Sequence, residues 1–547
     1  MAKEDYLSGI DLYLKGERPT RLETDSGIPV PLICGPAHTD GLDYDRDLGA
    51  AGAYPFTRGI HADMYRGRLW TRRQILGYGG PKETNRRIKF LFKEGQTGLN
   101  LVPDLVGAHG FDPDDPWAEG EVGLQGVSIS TLTEMAETLR DLPLDQMSVT
   151  MIAKPPCGMI WLAMLVALAE KRGLSPASLM GTVMNDPLFQ ISGGVPLSTH
   201  TRFFPLKPAV RLAVDTIEHC SRHLPRINTP CVNGYNVRET GINAAHEIAF
   251  TLAGAATFVE GALARGLSVD AFAPRLSFFV ASHMDLFEEV AKFRAFRRIW
   301  ARLMREQYGA RDERSLWFRF SAQTSGIALT AQQPLNNVVR TTLQVLAAVL
   351  GGAQAVQASA FDEAISLPTE ESHRLVVRTS QIIGYESGVT RTVDPLGGGY
   401  FTEWLTSRLE AEALTLFEKV QAMGGMVAAI ESGWLENVVN EARSRRMADM
   451  EAGRQLLVGV NAFRIEEEPR VKIHRTSGRW ERERRRFVRE FKRGRNQRRA
   501  AQALDRVQDA MACGENLFPS VLAAVKASAT LGEVSHALRE AVGFKVH

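Results

Sequence analysis

Residues 275–308 read RLSFFVASHMDLFEEVAKFRAFRRIWARLMREQY, an apolar run of strand length followed at once by a longer amphipathic segment. In that segment, apolar side chains recur every three or four residues from Leu286 to Leu303. This period is typical of one face of a helix, and the lysine and arginines between the apolar residues lie off that face. The stretch therefore predicts a strand over 275–282 and a core-facing helix over 285–308.

The same alternation of strands and helices continues on both sides of this stretch. It is typical of parallel βαβ units, which build either a barrel or a doubly wound sheet. Because no GxGxxG fingerprint opens a helix, a TIM (β/α)8 barrel, an α/β fold, is the better prediction for residues 51–400. Further runs of strand length lie at 98–105, 148–153 and 317–322, and further helical segments at 132–140, 160–171, 210–222, 241–265 and 337–350.

The two ends of the chain differ from this central part. Residues 1–50 are rich in Gly, Pro and Asp with little period, which predicts an extended arm that wraps a neighbour or partner. Residues 401–547 are charged and helical in pattern, and we interpret them as a helical C-terminal region contacting a partner subunit. Within them, 475–499 is densely basic, but its interleaved glutamates favour a solvated helix or an inter-subunit surface over a nucleic-acid patch.

Composition excludes several classes of protein. The 547 residues are 44% hydrophobic and 23% charged, as in globular proteins, and the net charge of +2 gives no reason to expect nucleic acid or a membrane. Five scattered cysteines without CxxC spacing favour reduced thiols, and no apolar signal segment opens the chain, so we expect a cytoplasmic protein. His219 and His223 have helical spacing but no third ligand nearby, so no metal site is predicted.

Three polar clusters are candidates for a functional site. Residues 54–77, YPFTRGIHADMYRGRLWTRRQILG, hold five arginines, whose planar forks suit phosphate oxygens; a surface helix with salt bridges explains them equally well. Residues 233–241, NGYNVRETG, and 321–337, SAQTSGIALTAQQPLNN, place amides, hydroxyls and glycines after apolar runs, where barrel active sites assemble. Ordinary polar loops are the alternative for both.

Longer motifs identify a family. They are YPFTRG (54–59), RGRLWTRRQ (66–74), PLDQMSV (143–149), APRLSFF (273–279), QTSG (323–326), LTAQQPLNNVVRT (329–341), DEAISLPTE (362–370) and GVNAFR (459–464). Over roughly residues 25–547 the chain resembles the substrate-binding chain of the methylmalonyl-CoA mutase family, and it looks nearest to the 2-hydroxyisobutyryl-CoA and isobutyryl-CoA mutase large subunits. The resemblance implies a TIM barrel threaded by coenzyme A, with adenosylcobalamin docked over its carboxyl-terminal mouth. It also implies an isomerase that rearranges a carbon skeleton by radical chemistry.

The family's cobalamin module carries a DxHxxG signature whose histidine ligates cobalt. None of the twelve histidines here has an Asp two residues before it and a Gly three residues after it. The resemblance therefore implies a separate small cobalamin-binding subunit, as in the split members of the family. The expected complex is a heterotetramer of two large and two small subunits that binds an acyl-CoA substrate.

The resemblance also assigns residues to roles. It places a carboxylate pair and a glycine beside adenosylcobalamin, namely Glu239, Glu363 and Gly326. It places four residues at the reacting cavity as the catalytic set, namely Ile75, Tyr235, Asn236 and Gln323. It places six residues against coenzyme A, namely Arg68, Thr71, Arg73, Thr182, Arg275 and Ser277.

The acyl end departs from the family pattern. The usual His after Gly-Tyr is Asn236, which donates hydrogen bonds but cannot act as a general acid near neutral pH. A second usual His is Ser321, a usual Gln is Met184, and the carboxylate-binding Arg of the methylmalonyl enzymes falls in an insertion at 189–202 that leaves it unaligned. These differences leave the acyl group open.

One selector position, Ile75, stands where the methylmalonyl enzymes have Tyr and leaves room for a branched or tertiary acyl carbon. Val102 stands where an Asp would bind a hydroxyl. We predict a mutase for a branched short-chain acyl-CoA of the 2-hydroxyisobutyryl, isobutyryl or pivalyl type. The alternatives are a family enzyme with a new acyl-CoA substrate or reaction, and a non-catalytic scaffold subunit. Retention of Glu239 and Glu363 argues against the scaffold.

Overall fold

The computed structural model describes residues 22–189, 203–466 and 478–546. Most of the predicted insertion at 189–202, the first part of the predicted arm and the start of the basic run lie outside the described residues. Within the described ranges the chain forms ten short strands. They are β1 (Thr71–Arg73), β2 (Ile75–Leu76), β3 (Leu99–Leu101), β4 (Ser148–Met151), β5 (Met180–Val183), β6 (Ile227–Asn228), β7 (Cys231–Asn233), β8 (Ser277–Ser282), β9 (Phe320–Thr324) and β10 (Ala355–Gln357).

The strands build two five-stranded parallel sheets. One sheet has the order β2-β3-β4-β5-β6 and the other the order β1-β10-β9-β8-β7. Only Gln74 separates β1 from β2, and only Thr229 and Pro230 separate β6 from β7. The chain therefore passes directly from one sheet into the other at two places. The predicted α/β architecture with parallel βαβ units is confirmed.

Nineteen α-helices surround the sheets in the described part of the chain. They are α1 (Met64–Gly67), α2 (Pro81–Lys93), α3 (Leu105–Ala108), α4 (Leu132–Thr138), α5 (Cys157–Lys171), α6 (Leu206–His223), α7 (Gly234–Arg238), α8 (Ala244–Ala264), α9 (Val269–Phe272), α10 (Leu286–Arg302), α11 (Asn336–Leu350), α12 (Glu370–Tyr385), α13 (Tyr400–Ala422), α14 (Met426–Glu431), α15 (Trp434–Glu451), α16 (Gly478–Gly494), α17 (Gln497–Cys513), α18 (Phe518–Lys526) and α19 (Leu531–Ala541). The four predicted strands correspond to β3, β4, β8 and β9. The six predicted helices correspond to α4, α5, α6, α8, α10 and α11.

Helix α10, the helix of the stretch quoted at the start, is buried on all sides from Glu288 to Ala301. Asp285 caps it by accepting a hydrogen bond from the Glu288 amide. Its apolar face packs in the core as predicted, but its charged face is buried as well, because α13 and α8 pack against it. Arg294 pairs with Asp394 at 2.5 Å and with Glu403. The helix therefore joins the sheets to the C-terminal helices through buried ion pairs.

Helix α8 is the one helix in the described ranges whose length and composition would allow it to cross a membrane. It is mostly buried, and it packs against α6, α10 and α13. These contacts are those of a core helix, which explains its apolar composition without a membrane.

Candidate active site

A cavity of ≈ 450 Å³ lies between the two sheets, toward the amino-terminal ends of the strands. Side chains from β1, β3, β4, β5, β6, β8 and β9 contribute to its wall. All six residues that the resemblance assigns to coenzyme A line this one cavity: Arg68, Thr71, Arg73, Thr182, Arg275 and Ser277. The fold thus brings together residues that are up to 209 positions apart in the sequence, from Arg68 to Ser277.

The wall of this cavity is strongly positive. Five arginines line it and no Asp or Glu does; they are Arg68, Arg73, Arg226, Arg275 and Arg319. Within the described residues, none of the five forms an ion pair with a carboxylate. Burial and the nearby charge of Arg275 lower the pKa of Arg319 to about 10. Uncompensated guanidinium groups that face a cavity indicate an anionic ligand, and the arginine fork matches phosphate.

Arg73, at the end of β1, is held in place by several hydrogen bonds. Its guanidinium donates hydrogen bonds to Thr150 Oγ1 at 2.8 Å, to Ser148 Oγ at 2.9 Å and to the Leu99 carbonyl at 3.2 Å. Burial, with a smaller effect of Arg68, lowers its pKa to about 10, so it stays charged near neutral pH. Neutral partners therefore fix the direction of the side chain without cancelling its charge.

Arg226 and Arg319 were missed in the sequence. Each is a single basic residue just before a short strand, Arg226 before β6 and Arg319 before β9. That placement is the signal that could have found them, because residues before parallel strands gather at one end of the sheets. Arg58 and Arg72, from the arginine-rich stretch 54–77, do not line this cavity. Arg58 pairs with Asp394 at 3.0 Å, and Arg72 donates a hydrogen bond to the Gly95 carbonyl.

A second cavity of ≈ 310 Å³ lies at the opposite, carboxyl-terminal ends of β2, β9 and β10. Ile75, Val102, Gln323 and Glu363 are in its wall. Gln323 is 4% exposed, and its side-chain carbonyl oxygen has no hydrogen-bond donor among the described residues. A buried amide oxygen that lacks a donor and faces a cavity indicates a ligand or water there. The two cavities adjoin along β9, where Ser321 lines the first and Gln323 the second.

Two carboxylates converge at the edge of the second cavity. A Cβ atom added to Gly326 would lie 3.2 Å from Glu239 Oε2, 3.5 Å from Glu363 Oε1 and 3.6 Å from Tyr235 Oη. Glu239 is held by Ser325 Oγ at 2.6 Å and by the Ile327 amide at 2.9 Å. The absence of a side chain at position 326 thus keeps the space in front of both carboxylates open.

The pKa values of Glu363 and Tyr235 are both raised. Surrounding protein and the charge of Glu239 raise the pKa of Glu363 to about 7, although one side of Glu363 stays open to the cavity. Burial and both carboxylates raise the pKa of Tyr235. Strongly perturbed acids beside a cavity are typical of functional sites.

Tyr235 and Asn236 lie on α7, directly after β7, and line neither cavity. The Tyr235 ring packs 5.2 Å from that of Phe279, next to Met184. The backbone N–H of Asn236 donates to Asn233 Oδ1 at 3.0 Å, and this bond caps the start of the helix. The Tyr235 hydroxyl therefore lies near Gly326 together with the two carboxylates. Asn236 follows Tyr235 on α7.

Sequence comparison shows the family to which the chain belongs. The family model for methylmalonyl-CoA mutase matches residues 23–544. The chain belongs to the methylmalonyl-CoA mutase family. Members of this family named as mutases are isomerases, and this chain is an isomerase of the family.

Three relatives show how far the likeness extends. A protein of Aquincola tertiaricarbonis named 2-hydroxyisobutanoyl-CoA mutase large subunit is 40% identical over 495 residues, 90% of this chain and 87% of the relative. The methylmalonyl-CoA mutase of Rhizobium meliloti is 37% identical over 522 residues, 95% of this chain and 72% of the relative. The mitochondrial methylmalonyl-CoA mutase of Homo sapiens is 36% identical over 535 residues, 97% of this chain and 70% of the relative.

Proposed function

We propose that this chain is the large subunit of an adenosylcobalamin-dependent acyl-CoA mutase that rearranges a branched short-chain acyl group of the 2-hydroxyisobutyryl, isobutyryl or pivalyl type. The observation that carries the proposal is the cavity wall with five arginines and no acid. That wall adjoins a second cavity lined by Glu363, and Glu239 lies beside Glu363 at Gly326. The positive cavity would take the anionic coenzyme A carrier, and the second cavity would take the reacting acyl group, as a thioester of coenzyme A requires.

We also infer that the two sheets are the halves of one TIM (β/α)8 barrel. If β1 with β2, and β6 with β7, each count as one strand, the ladders give a cyclic order of eight strands with a neighbour on both sides of each. The position of the larger cavity supports this, because its wall takes side chains from both sheets. Active sites of such barrels lie at the carboxyl-terminal ends of the strands, where Glu239 and Glu363 are found.

Coenzyme A would be bound by groups that the larger cavity already presents. The arginines would bind its phosphates, and the neutral polar residues Thr150, Thr182, Asn100 and Asn228 would hydrogen-bond the amides of its pantetheine arm. The thioester would then reach Gln323, whose side-chain amide can orient the acyl carbonyl. Ile75 and Val102 form an apolar wall that keeps water from the reacting carbon.

The residues around Gly326 fit the family's cofactor. A side chain there would meet both carboxylates, so the glycine leaves a recess in which Glu239 and Glu363 can accept hydrogen bonds from ribose hydroxyl groups. Adenosylcobalamin, when bound, supplies the carbon-centred radical chemistry. Since the chain lacks DxHxxG, a separate small subunit would carry most of the cobalamin. We propose a cytoplasmic heterotetramer of two large and two small subunits.

Turnover tests this proposal. The chain, a cognate small subunit and adenosylcobalamin are mixed with isobutyryl-CoA, pivalyl-CoA or 2-hydroxyisobutyryl-CoA, and kcat/KM is measured after chromatographic separation of the rearranged acyl-CoA from its isomeric substrate. We expect turnover of at least one of the three. Turnover of none of them, in a complex that binds both cobalamin and coenzyme A, would contradict the proposed substrate class.

Ile75→Phe should discriminate among these substrates. The phenylalanine ring would occupy part of the second cavity. We therefore expect kcat/KM for pivalyl-CoA and 2-hydroxyisobutyryl-CoA to fall about 10- to 100-fold more than kcat/KM for isobutyryl-CoA. Desulfo-coenzyme A, which has no acyl group, serves as the control ligand and should bind the variant with unchanged Kd. Equal losses for all three substrates would show that Ile75 does not select the acyl group.

A different acyl-CoA substrate is the second candidate function. Ser321 lines the larger cavity with a buried hydroxyl that has no partner among the described residues, and Met184 replaces a usual amide. This changed wall would suit an acyl group outside the three named above. Isomerisation of another member of an acyl-CoA collection, with none of the three converted, would favour it.

A further inference from the structure

Helix α16 carries the basic run and has two differently charged faces. On its inner face, Arg484 lies 3.2 Å from Glu134, which is 2% exposed, and Lys492 lies 2.9 Å from Asp112 and 2.8 Å from Asp114. Buried carboxylates need such partners, because an unpaired charge inside a protein is costly. The packing of α16 on its own chain therefore explains Arg484 and Lys492.

The outer face of α16 has no such explanation. Four arginines there are exposed and lie on one side of the helix, at spacings of four, three and four residues: Arg482, Arg486, Arg489 and Arg493. We call them the basic stripe. None of them forms an ion pair or hydrogen bond with any described residue, whereas Arg479 and Arg485 pair with Glu483 and Glu481. At 1.5 Å per residue the stripe is about 16 Å long.

The arginines of the stripe repel one another along the helix. Arg482 and Arg486, and again Arg489 and Arg493, are like charges four residues apart, and each such pair destabilises a helix by about 0.2–0.5 kcal/mol. Glu490, which lies four residues after Arg486 and three before Arg493, offsets part of this repulsion, whereas no Asp or Glu lies three or four residues from Arg482 or Arg489. Arg482 and Arg489 therefore have no acidic neighbour on their own helix face, which leaves them available to a partner outside the chain.

The stripe begins next to the opening of the second cavity, which we call the mouth. Trp480, in the first turn of α16, packs on Gly79, where an added Cβ would lie 2.8 Å from its ring, and its ring centre is 5.8 Å from that of Tyr78. Gly77 and Tyr78 line the second cavity. A macromolecule that docks over this cavity would therefore pass or contact the basic stripe.

The surroundings of the stripe indicate what kind of macromolecule this is. From 478 to 546 no large hydrophobic side chain is exposed, so the surface offers nothing to insert into a membrane. Phe487 and Phe491 are partly buried and stack on each other, which leaves no open aromatic platform for single-stranded nucleic acid. A charged protein surface without apolar residues raises the rate of association with an oppositely charged partner more than the affinity.

We propose that the basic stripe steers an acidic surface of the cobalamin-carrying partner onto the mouth. This inference rests on the proposed function and adds the chemistry of the docking surface to it. The stripe acts at long range, before contact, and the fit of the two subunits at the mouth holds the complex together.

The double variant Arg486→Glu/Arg489→Glu tests the stripe, with Lys171→Glu/Arg311→Glu as the control. The control makes the same change in net charge at exposed cations near the amino-terminal ends of the strands. Association of the cognate small subunit is followed by stopped-flow fluorescence at low and high salt. We expect the test variant to associate about 10-fold more slowly at low ionic strength, with the difference nearly lost in about 1 M salt, where charges are screened within about 3 Å. The control should associate at the wild-type rate.

The outcomes separate the stripe from the proposed function. Equal association rates for the test variant and the wild type, in a complex that still turns over, overturn the stripe alone. A test variant that associates normally but loses binding to duplex DNA or anionic vesicles, compared with the wild type, also overturns it. If the wild type binds acyl-CoA yet no cobalamin-binding subunit associates with it, the proposed function fails first. A rate loss that persists in high salt shows that the substitutions damaged the contact itself and contradicts steering.

Discussion

Replacing Arg73 with methionine should lower the affinity of the chain for acyl-CoA on the order of 100-fold. A charge-assisted hydrogen bond contributes about 1.5–3 kcal/mol, and the cavity wall holds no acid that could compensate in the free protein. The guanidinium is already directed by Ser148 and Thr150, so the ligand spends little entropy in ordering it. We therefore expect a higher Kd by isothermal titration calorimetry with little change in the melting temperature.

Two further variants make this result specific. Arg172→Met removes a half-buried arginine that donates to the Leu139 and Leu142 carbonyls outside the cavity, and it should leave the Kd unchanged. Arg73→Lys keeps the charge but loses the planar fork, so its Kd should lie between those of the wild type and Arg73→Met. A folded Arg73→Met protein that binds acyl-CoA like the wild type would contradict the assignment of coenzyme A to this cavity.

Replacing Lys292 with methionine should lower the free energy of unfolding by about 3–5 kcal/mol. The Lys292 ammonium is fully buried and lies 2.7 Å from Glu247 Oε2, close to Glu289, and 2.8 Å from the Ala281 carbonyl. Methionine fills nearly the same volume but leaves two buried carboxylates without this partner. Urea denaturation measures the loss.

The loss should be recovered when the charges are removed together. The triple variant Glu247→Gln/Glu289→Gln/Lys292→Met has no uncompensated charge in this group, so we expect it to be more stable than Lys292→Met alone. Lys526→Met is the control, because its pair with Glu170 is partly exposed and should contribute about 1 kcal/mol or less. A single variant as stable as the wild type would mean that the buried pair is not charged in the folded protein.

The strand and helix quoted at the start were predictable because each carries its own period. Strand β8 and helix α10 lie within three residues of their predicted starts, since a local pattern is enough to specify them. The burial of the charged face of α10 was not predictable. It depends on Asp394 and Glu403, which lie 100 and 109 residues further along the chain than Arg294.

In the candidate site, too, residues in local motifs were predictable and residues placed by long-range contacts were not. The resemblance picked out residues in continuous motifs, and the fold brings the six assigned to coenzyme A into one cavity. Arg226 and Arg319 have no motif of their own, and only the register of β6 and β9 places them beside the others. Strands of two or three residues, such as β6 and β7, are too short to show a period, so the point where the chain changes sheets could not be predicted.

Reconstitution from separate components tests the central claim most directly. The chain, a cognate small subunit, adenosylcobalamin and the acyl-CoA are combined with each component omitted in turn, and the rearranged acyl-CoA is identified by mass spectrometry and NMR. We predict product only when all four are present, and loss of most of it at low acyl-CoA concentration with Arg73→Met. Product without adenosylcobalamin, or no product from any acyl-CoA in a complex that binds both ligands, would contradict the account.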